Sequence, residues 1–503
     1  MKMNESIRIT VNGKEERVRA GLFLSEIVNG EKPCGGHGKC GKCKLFARGC
    51  LSDVTDAERE LLSPRELEDG VRLSCLTRAL GECEIETSSR AEACGILTES
   101  SELSFRVASD FKRYGVAVDI GTTTLAARLY GKDGELLAEH SRLNPQAEFG
   151  ADVISRIEAS LGDKRDELAA SVRGAIDGML EALAKKANIA PDEIDAVVLT
   201  GNTVMLSLLT REDVEPFSHA PFEARRLFGE TLFASELNLS APASDAEVYL
   251  PPCISAFVGA DTVCAVLATG LCERELSMLV DIGTNGEMAL CHGDRLSVCS
   301  TAAGPAFEGV GISMGMRGAE GAVDKVEARN GELCVHVIGD AEAVGICGSG
   351  LVDAAAAMLE LEIIDETGFL EDDPFPLTDK VSLNAKDIRM LQLAKSAICA
   401  GITTLASSAG VDMNDVGKLF IAGGFGHYLN KANAVKIGLL PKKLGEKCET
   451  VGNAALGGAS MLLLNPSLRA DAERMALSAD TIELSTSSLF SEKFMLGMMF
   501  EEI

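Results

Sequence analysis

The segment Val118-Asp119-Ile120-Gly121-Thr122-Thr123 recurs 162 positions later as Val280-Asp281-Ile282-Gly283-Thr284-Asn285. This repeat constrains the fold of the 503-residue chain more than any other feature. Each copy follows an apolar stretch (YGVAV, SMLV), leads into a second one (LAARLY, EMAL) and meets a turn signal about twelve residues on (GKDG, HGDR). Two similar halves, each opening with a strand, a tight turn and a return strand, are the economical explanation. Between the copies, Ile154, Ile157, Leu168, Val172, Ile176, Met179 and Leu183 recur mostly at three- and four-residue steps, interrupted near Gly162, as on amphipathic helices packed on a sheet. The expected fold class for this part is α/β, with one half over 114–270 and the other over 271–503.

Residues 1–88 have another character. Positions 7–18 alternate around Asn12-Gly13, with Ile7, Ile9 and Val11 on one face, which predicts a β-hairpin with a tight turn. A short helix at 22–28, a cysteine-rich loop, a strand near 44–46, a polar helix-forming stretch and a last strand near 84–86 then suit a small β-grasp domain. From 87 to 112 the sequence turns polar and irregular, so 89–113 is expected to be a linker between independently folded units.

A chain of this length exceeds what one hydrophobic core serves, and 46% hydrophobic residues supply ample material for two or more. The net charge of -28 argues against a nucleic-acid partner, which a basic stripe would serve. The start MKMNESIRIT has no apolar signal core and no apolar run reaches membrane-spanning length, so a cytoplasmic location without a membrane partner is expected. In a reducing compartment, clustered members of the sixteen cysteines are ligand candidates. Scattered ones such as Cys253, Cys264 and Cys399 read as small buried hydrophobes.

The cluster is Cys34, Cys40 and Cys43 in CGGHGKCGKC, a C-x5-C-x2-C run, with Cys75 in RLSCLT after 31 intervening residues. Four thiolates in this pattern can close around two irons, and the plant-type ferredoxin spacing differs by one residue in the first gap. Gly35, Gly36, Gly38 and Gly41 let the backbone turn and aim N–H groups at sulfur. A structural zinc site would favour two close C-x2-C pairs, and unliganded core cysteines are the other alternative. His37 alone cannot make a Rieske centre, which takes two histidines.

The repeated Asp-x-Gly-Thr element places small residues and backbone N–H groups where phosphates approach, with a carboxylate able to hold Mg²⁺ through water. One copy is weak evidence. Two copies in equivalent places, Asp119 with Gly121, Thr122 and Thr123, and Asp281 with Gly283, Thr284 and Asn285, point to an ATP site clamped between two hairpins. Gly423, Gly424 and Gly426 follow an apolar strand as an adenosine-packing turn would, and Gly348-Ser349-Gly350 fits a connection into a helix from Leu351. Asp261, in Gly259-Ala260-Asp261-Thr262, either orients a water for ATP hydrolysis or caps the helix DTVCAVLATG. His219, His292 and His427 lack metal-ligand spacing and read as structural, with His427 beside the glycine turn.

With these residues in hand the chain resembles the reductive activators of corrinoid proteins, in which a ferredoxin domain precedes an actin/Hsp70/sugar-kinase-like (ASKHA) ATPase. CGGHGKCGKC and RLSCLT carry the resemblance in the first domain; DIGTTT, LTGNTVM, LPPCISAFVGADT, DIGTNGE, AAGPAFEG, GICGSGL and IAGGFG carry it in the second, and the ending IELSTSSLFSEKFMLGMMF is similar too. The resemblance implies ATP-dependent reduction of inactive cobalt(II) to cobalt(I) in a corrinoid protein of a methyltransferase system. It also implies a [2Fe-2S] cluster, Mg²⁺ and an external low-potential electron donor. Longer members of the family carry an additional middle domain that takes part in dimerisation; only residues 89–113 intervene here, so the middle domain is expected to be missing and a homodimer stays open. Competing readings are a small-molecule kinase of the same fold with Asp261 as base and the cluster as a redox switch, an ATP-gated electron carrier, and an activator of radical dehydratases. The self-contained four-cysteine domain disfavours the last.

Overall fold

The computed structural model describes residues 6–28, 38, 41, 43–62, 66–67, 70–86, 105–274 and 276–501. The chain divides into two compact units, residues 1–93 with 145–159 and residues 94–144 with 160–503. Among the described residues no helix is long and apolar enough to cross a membrane.

In the first unit, β1 (Ser6–Val11) and β2 (Lys14–Arg19) form the expected hairpin. Its turn holds Asn12 and Gly13 at φ 49° and 80°, the positive pair that a two-residue hairpin demands. With β3 (Lys44–Leu51), β4 (Val71–Leu73) and β5 (Ala79–Glu86) they make a five-stranded sheet in the order β2-β1-β5-β3-β4, β1 and β5 being parallel. Ile9, Leu24, Leu45, Ala47 and Ile85 fill its core, with Leu24 contributed by the helix Leu24–Ile27. This is the β-grasp, ferredoxin-like arrangement. The strands expected at 44–46 and 84–86 both run longer. A register shift between Gly49 and Leu51 hides the continuation of β3, and Gly49, at φ 112°, lies so near β5 that a Cβ would stand 2.6 Å from the Glu82 carbonyl.

The second unit contains the duplication. Its first half has β6 (Tyr114–Ile120), β7 (Thr124–Gly131) and β8 (Leu136–Leu143) as an antiparallel meander, then β9 (Ile194–Gly201), β10 (Glu230–Phe233) and β11 (Glu247–Leu250), in the order β10-β11-β9-β6-β7-β8. The second half opens with an equivalent meander, β12 (Leu276–Ile282), β13 (Gly286–His292) and β14 (Arg295–Thr301). A small sheet of β15 (Ala322–Arg329), β16 (Glu332–Val337) and β17 (Gly345–Ile346) follows, then the two-stranded pair β18 (Phe375–Pro376) and β19 (Ser382–Leu383). With β20 (Lys418–Ala422), β21 (Cys448–Gly452) and β22 (Asp480–Thr481) the second main sheet reads β21-β20-β12-β13-β14-β22. In each half the meander's first strand takes a parallel neighbour, β9 beside β6 and β20 beside β12, which is how both hairpin tips come to the carboxyl ends of parallel strands.

Helices Ala260–Thr269 and Ala454–Leu464 pack against one another. Gly458 permits the contact, since a Cβ there would run into the Cys264 carbonyl. Cys253, Cys264 and Cys399 are buried, as their scattered positions suggested. Two expectations are corrected. Ile154 is 54% exposed: it lies on the separate helix Val153–Ala159, and the chain breaks at Gly162 and Asp163, the latter at φ 74°, before the long helix Arg165–Ala187 buries Leu168, Val172, Ile176, Met179 and Leu183. Residues 87–104 lie outside the described residues, but 105–112 are not linker-like. The Ala108 N–H donates to the Leu464 carbonyl at 2.8 Å and Phe111 is 4% exposed in the core of the second unit. One aromatic anchor outweighs the polar residues around it.

Candidate functional site

Both hairpin tips open into one cleft of about 880 Å³ in the second unit. Asp119 and Asp281 hold the same place, one residue before the end of the first strand of each meander. Gly121 makes the first turn possible, since a Cβ would stand 2.6 Å from the Thr124 carbonyl. The Asn144 amide donates to the Gly121 carbonyl at 2.9 Å and the Asn202 amide to Thr122 Oγ1 at 3.2 Å. In the second tip, the Gly283 N–H donates to the Asn285 carbonyl at 3.2 Å and the Gly304 N–H to the Thr284 carbonyl at 2.9 Å. Glu308 joins the two tips: it accepts from Thr123 Oγ1 at 2.5 Å and from Thr284 Oγ1 at 2.7 Å.

Asp119, Asp261 and Asp281 line this cleft together, with Glu287 beside them. Burial raises the Asp119 pKa to about 7, and the negative charge of Asp261 adds to this against a hydrogen bond from Asn453 Nδ2 at 2.9 Å. Asp281 is pushed to about 7 by burial and then by Asp261, Asp119 and Glu308. Asp261 rises to about 6 through burial, moderated by the Thr262 N–H, which donates to it at 2.7 Å. Glu287, opposite Asp281 across β12 and β13, is raised well above its ordinary value by burial and by the two aspartates. Desolvated acids of one sign at this density are a site that a cation relieves. The cap reading of Asp261 is corrected: Gly259 is the N-cap residue, and Asp261, in the first turn, accepts from the N–H of the adjacent Thr262 while its side chain lines the cleft.

The glycine turns close the other wall. Gly423 has φ 90°, and a Cβ would stand 2.6 Å from Asp281 Oδ1, so glycine at this point is what lets β20 end against the aspartate. Gly424 lines the cleft; Gly426 opens the short turn Gly426–Tyr428 that follows, packed on Ile421. Gly348, Ser349 and Gly350 form the first turn of the helix Gly348–Glu360, which therefore begins three residues before the expected Leu351. Gly348 and Ser349 line the cleft, which puts a helix N-terminus there, while Gly350 packs the helix on the Val323 carbonyl. Phe307 and Phe425 stack at 4.6 Å beside them. Glu287, Glu308, Asn202 and Asn453 were not singled out from the sequence. The first three lie inside motifs quoted above, and the two asparagines also cap helices, accepting from the Met205 and Leu456 N–H groups.

In the first unit Cys43 and Cys75 are buried with their sulfurs 3.1 Å apart. Gly38 and Gly41 lie at φ 64° and 65°, the reversed backbone that glycine supplies. Cys34, Cys40 and His37 lie outside the described residues. The strand and turn bearing Cys75 are pinned by Glu58, whose carboxylate accepts from Arg72, the Leu73 N–H and Thr77 Oγ1. That anchor was not visible in the sequence.

Residues 275–503 match the family model described as the C-terminal domain of RACo, the ASKHA domain, and residues 114–274 match that of the RACo middle region. The half expected over 114–270 is the part that matches the middle region. The chain is 34% identical over 419 residues to the corrinoid activation enzyme RamQ of Eubacterium limosum, spanning 77% of this chain and 70% of that one. It is 26% identical over 420 residues to the Co(II) methylated amine-specific corrinoid protein reductase of Methanosarcina barkeri, spanning 77% of each. The solved structure of a reductive activator for corrinoid, iron-sulfur protein matches with TM-score 0.74 and 27% identity over 99% of this chain and 98% of that one.

Proposed function

This chain belongs to the family of reductive activators of corrinoid proteins, and from that premise we infer that it returns cobalt(II) to cobalt(I) in the corrinoid protein of a methyltransferase system, using ATP and an external low-potential electron donor. The observation that carries the ATP half of the reading is the pair of equivalent hairpin tips facing one acid-lined cleft. The N–H groups and hydroxyls of Gly121, Thr122, Thr123, Gly283, Thr284 and Asn285 are the phosphate donors in this reading. Gly423, Gly424 and the start of the helix Gly348–Glu360 border the remainder of the nucleotide. Asp119 and Asp281 would hold Mg²⁺, which would neutralise phosphate charge, and Asp261, with a pKa of about 6, orients the attacking water and takes its proton near neutral pH. Phosphoryl transfer needs mainly positioning and charge stabilisation, which these groups supply.

The cysteine site fits a [2Fe-2S] group held by Cys34, Cys40, Cys43 and Cys75, since the two described sulfurs are buried 3.1 Å apart in the same unit as the reversed-backbone glycines Gly38 and Gly41. When bound, that group supplies one-electron transfer at low potential. Cobalt(II) is a harder acceptor than such donors reduce unaided, and each 100 mV uphill costs roughly 2.3 kcal/mol per electron. ATP binding and hydrolysis in the second unit supply the difference by biasing one of two arrangements of the protein.

The test is spectroscopic. Without oxygen, a cobalt(II) corrinoid protein is mixed with a low-potential reductant and a catalytic amount of this protein, with and without ATP. The cobalt(I) band is expected only with ATP, and is lost in Cys40→Ala and in Asp281→Ala. Cobalt that stays oxidised with several corrinoid proteins, while ATP is consumed together with a small metabolite, makes the protein a kinase instead.

A further inference from the structure

We propose that Glu308 determines the discrimination between nucleoside triphosphate and diphosphate, by occupying the two hairpin hydroxyls that the terminal phosphate must take; this rests on the ATP reading of the cleft. Thr123 and Thr284 belong to different halves of the duplication, yet their hydroxyl oxygens are 3.5 Å apart. A single carboxylate serves both, one oxygen each, at 2.5 Å and 2.7 Å. Each threonine hydroxyl has one proton to donate, so a hydroxyl committed to Glu308 cannot also donate to a phosphate oxygen.

Glu308 is delivered to this place by its backbone. It ends the short turn Pro305–Glu308, Phe307 stacks on Phe425 at 4.6 Å, and Gly309, at φ 75°, packs so closely on Met316 that a Cβ would stand 2.7 Å from its backbone N. With the backbone anchored, the side chain is the part free to yield. A carboxylate bridging two hydroxyls at the mouth of a phosphate clamp is an internal anion in the place of an external one. A terminal phosphate arriving there meets both competition for the donors and repulsion from the charge, and it enters by displacing Glu308. A diphosphate, one phosphoryl group shorter, leaves the bridge intact. Glu308 therefore lowers affinity for the triphosphate selectively, and its displacement breaks the carboxylate link between the two hairpins only when ATP is bound.

The experiment is isothermal titration of the cluster-loaded full chain, purified without oxygen, with Mg²⁺ and either a non-hydrolysable ATP analogue or ADP. Glu308→Ala removes the bridge, and Glu308→Gln keeps its size without its charge, so the second variant reports even where the first fails to fold. Both are expected to bind the ATP analogue at least tenfold more tightly than the natural protein, with ADP affinity changed less than threefold. Equal changes for the two nucleotides, unchanged affinities, or weaker binding of the analogue overturn the proposal. If the natural protein itself binds neither nucleotide, the ATP reading of the cleft fails, and the proposal with it.

Discussion

Replacing Glu58 by glutamine should loosen the ferredoxin-like unit specifically around Cys75. The side chain is 0% exposed and its two oxygens accept from Arg72 Nε at 3.0 Å, Arg72 Nη2 at 3.1 Å, Thr77 Oγ1 at 2.8 Å, the Leu73 N–H at 3.2 Å and the Thr55 N–H at 2.9 Å. Burial alone would push its pKa up. The Arg72 guanidinium, the Thr55 N–H and the other donors outweigh that and hold it at about 2, against an ordinary 4.5. A depressed carboxylate pKa means stability that is present above about pH 4.5 and lost as the pH falls toward 2, and the shift corresponds to about 3 kcal/mol. Breaking a buried pair by removing one partner costs about 3–5 kcal/mol, so the two routes agree. Glu58→Gln leaves Arg72 buried opposite an amide and turns an N–H toward existing donors. The assay is hydrogen exchange of the full chain at pH 7 in graded denaturant. Peptides from 71–86 are expected to lose about 3 kcal/mol of protection, with those from 276–301 unchanged. Unchanged protection in 71–86, or equal loss in both, refutes the reasoning.

The remaining predictions concern the second unit. Asp281→Asn should lower ATP hydrolysis by about 100-fold or more, yet raise the melting temperature of the nucleotide-free protein at pH 8. Because the folded-state pKa is raised to about 7, ionisation destabilises the fold as pH climbs from about 4 through 7, and the amide removes that penalty; a lower melting temperature counts against it. Binding of Mg²⁺ and ATP at pH 7 should release protons from Asp119 and Asp281, seen as a dependence of calorimetric heat on buffer ionisation, and the release should shrink at pH 8.5 where both are already ionised. Net proton uptake would mean that phosphate charge, not the cation, faces these acids. Gly423→Ala should abolish nucleotide binding by titration calorimetry with the fold retained, because the new Cβ stands 2.6 Å from Asp281 Oδ1 at φ 90°. Lys395→Met should expose the C-terminal stretch to carboxypeptidase at a cost of about 3 kcal/mol, since the buried amine donates to the Gly497 carbonyl at 2.7 Å and to that of Met499.

The duplication and both hairpin tips were legible because a tight turn restricts residue choice locally: Gly121 and Gly283 each follow an aspartate by two positions, and the pattern survives in one dimension. Glu308, Asn453 and Glu58 were not legible for the opposite reason. Asn453 meets Asp119 across 334 residues and Glu308 meets Thr123 across 185, so nothing in their neighbours' identity announces the partner. The break at Gly162 and Asp163 was legible as an interruption of the helical stripe, whereas the exposure of Ile154 on the separate helix Val153–Ala159 was not, because spacing alone does not say which face of a short helix is covered. The segment at 105–112 misled because composition averages over residues, whereas docking depends on one, Phe111.

The two halves of the second unit meet around the acid-lined cleft through side chains that reach from one to the other, Asn453 to Asp119 at the end of β6 and Glu308 to Thr123 at the hairpin tip. A nucleotide that engages both tips therefore acts on the relation between the halves, and the most it can change that relation is its difference in affinity for the two arrangements. Moving such an equilibrium from 1:99 to 99:1 takes about 5.5 kcal/mol. At roughly 2.3 kcal/mol per 100 mV, that is the drive needed to carry one electron about 240 mV uphill. A clamp that bound triphosphate and diphosphate alike would deliver none of it, however tightly it held either. On the proposed reading of the cleft, the clustered acids and the Glu308 bridge make affinity depend on the cation and the terminal phosphate, and so put the useful energy in the step that distinguishes ATP from ADP.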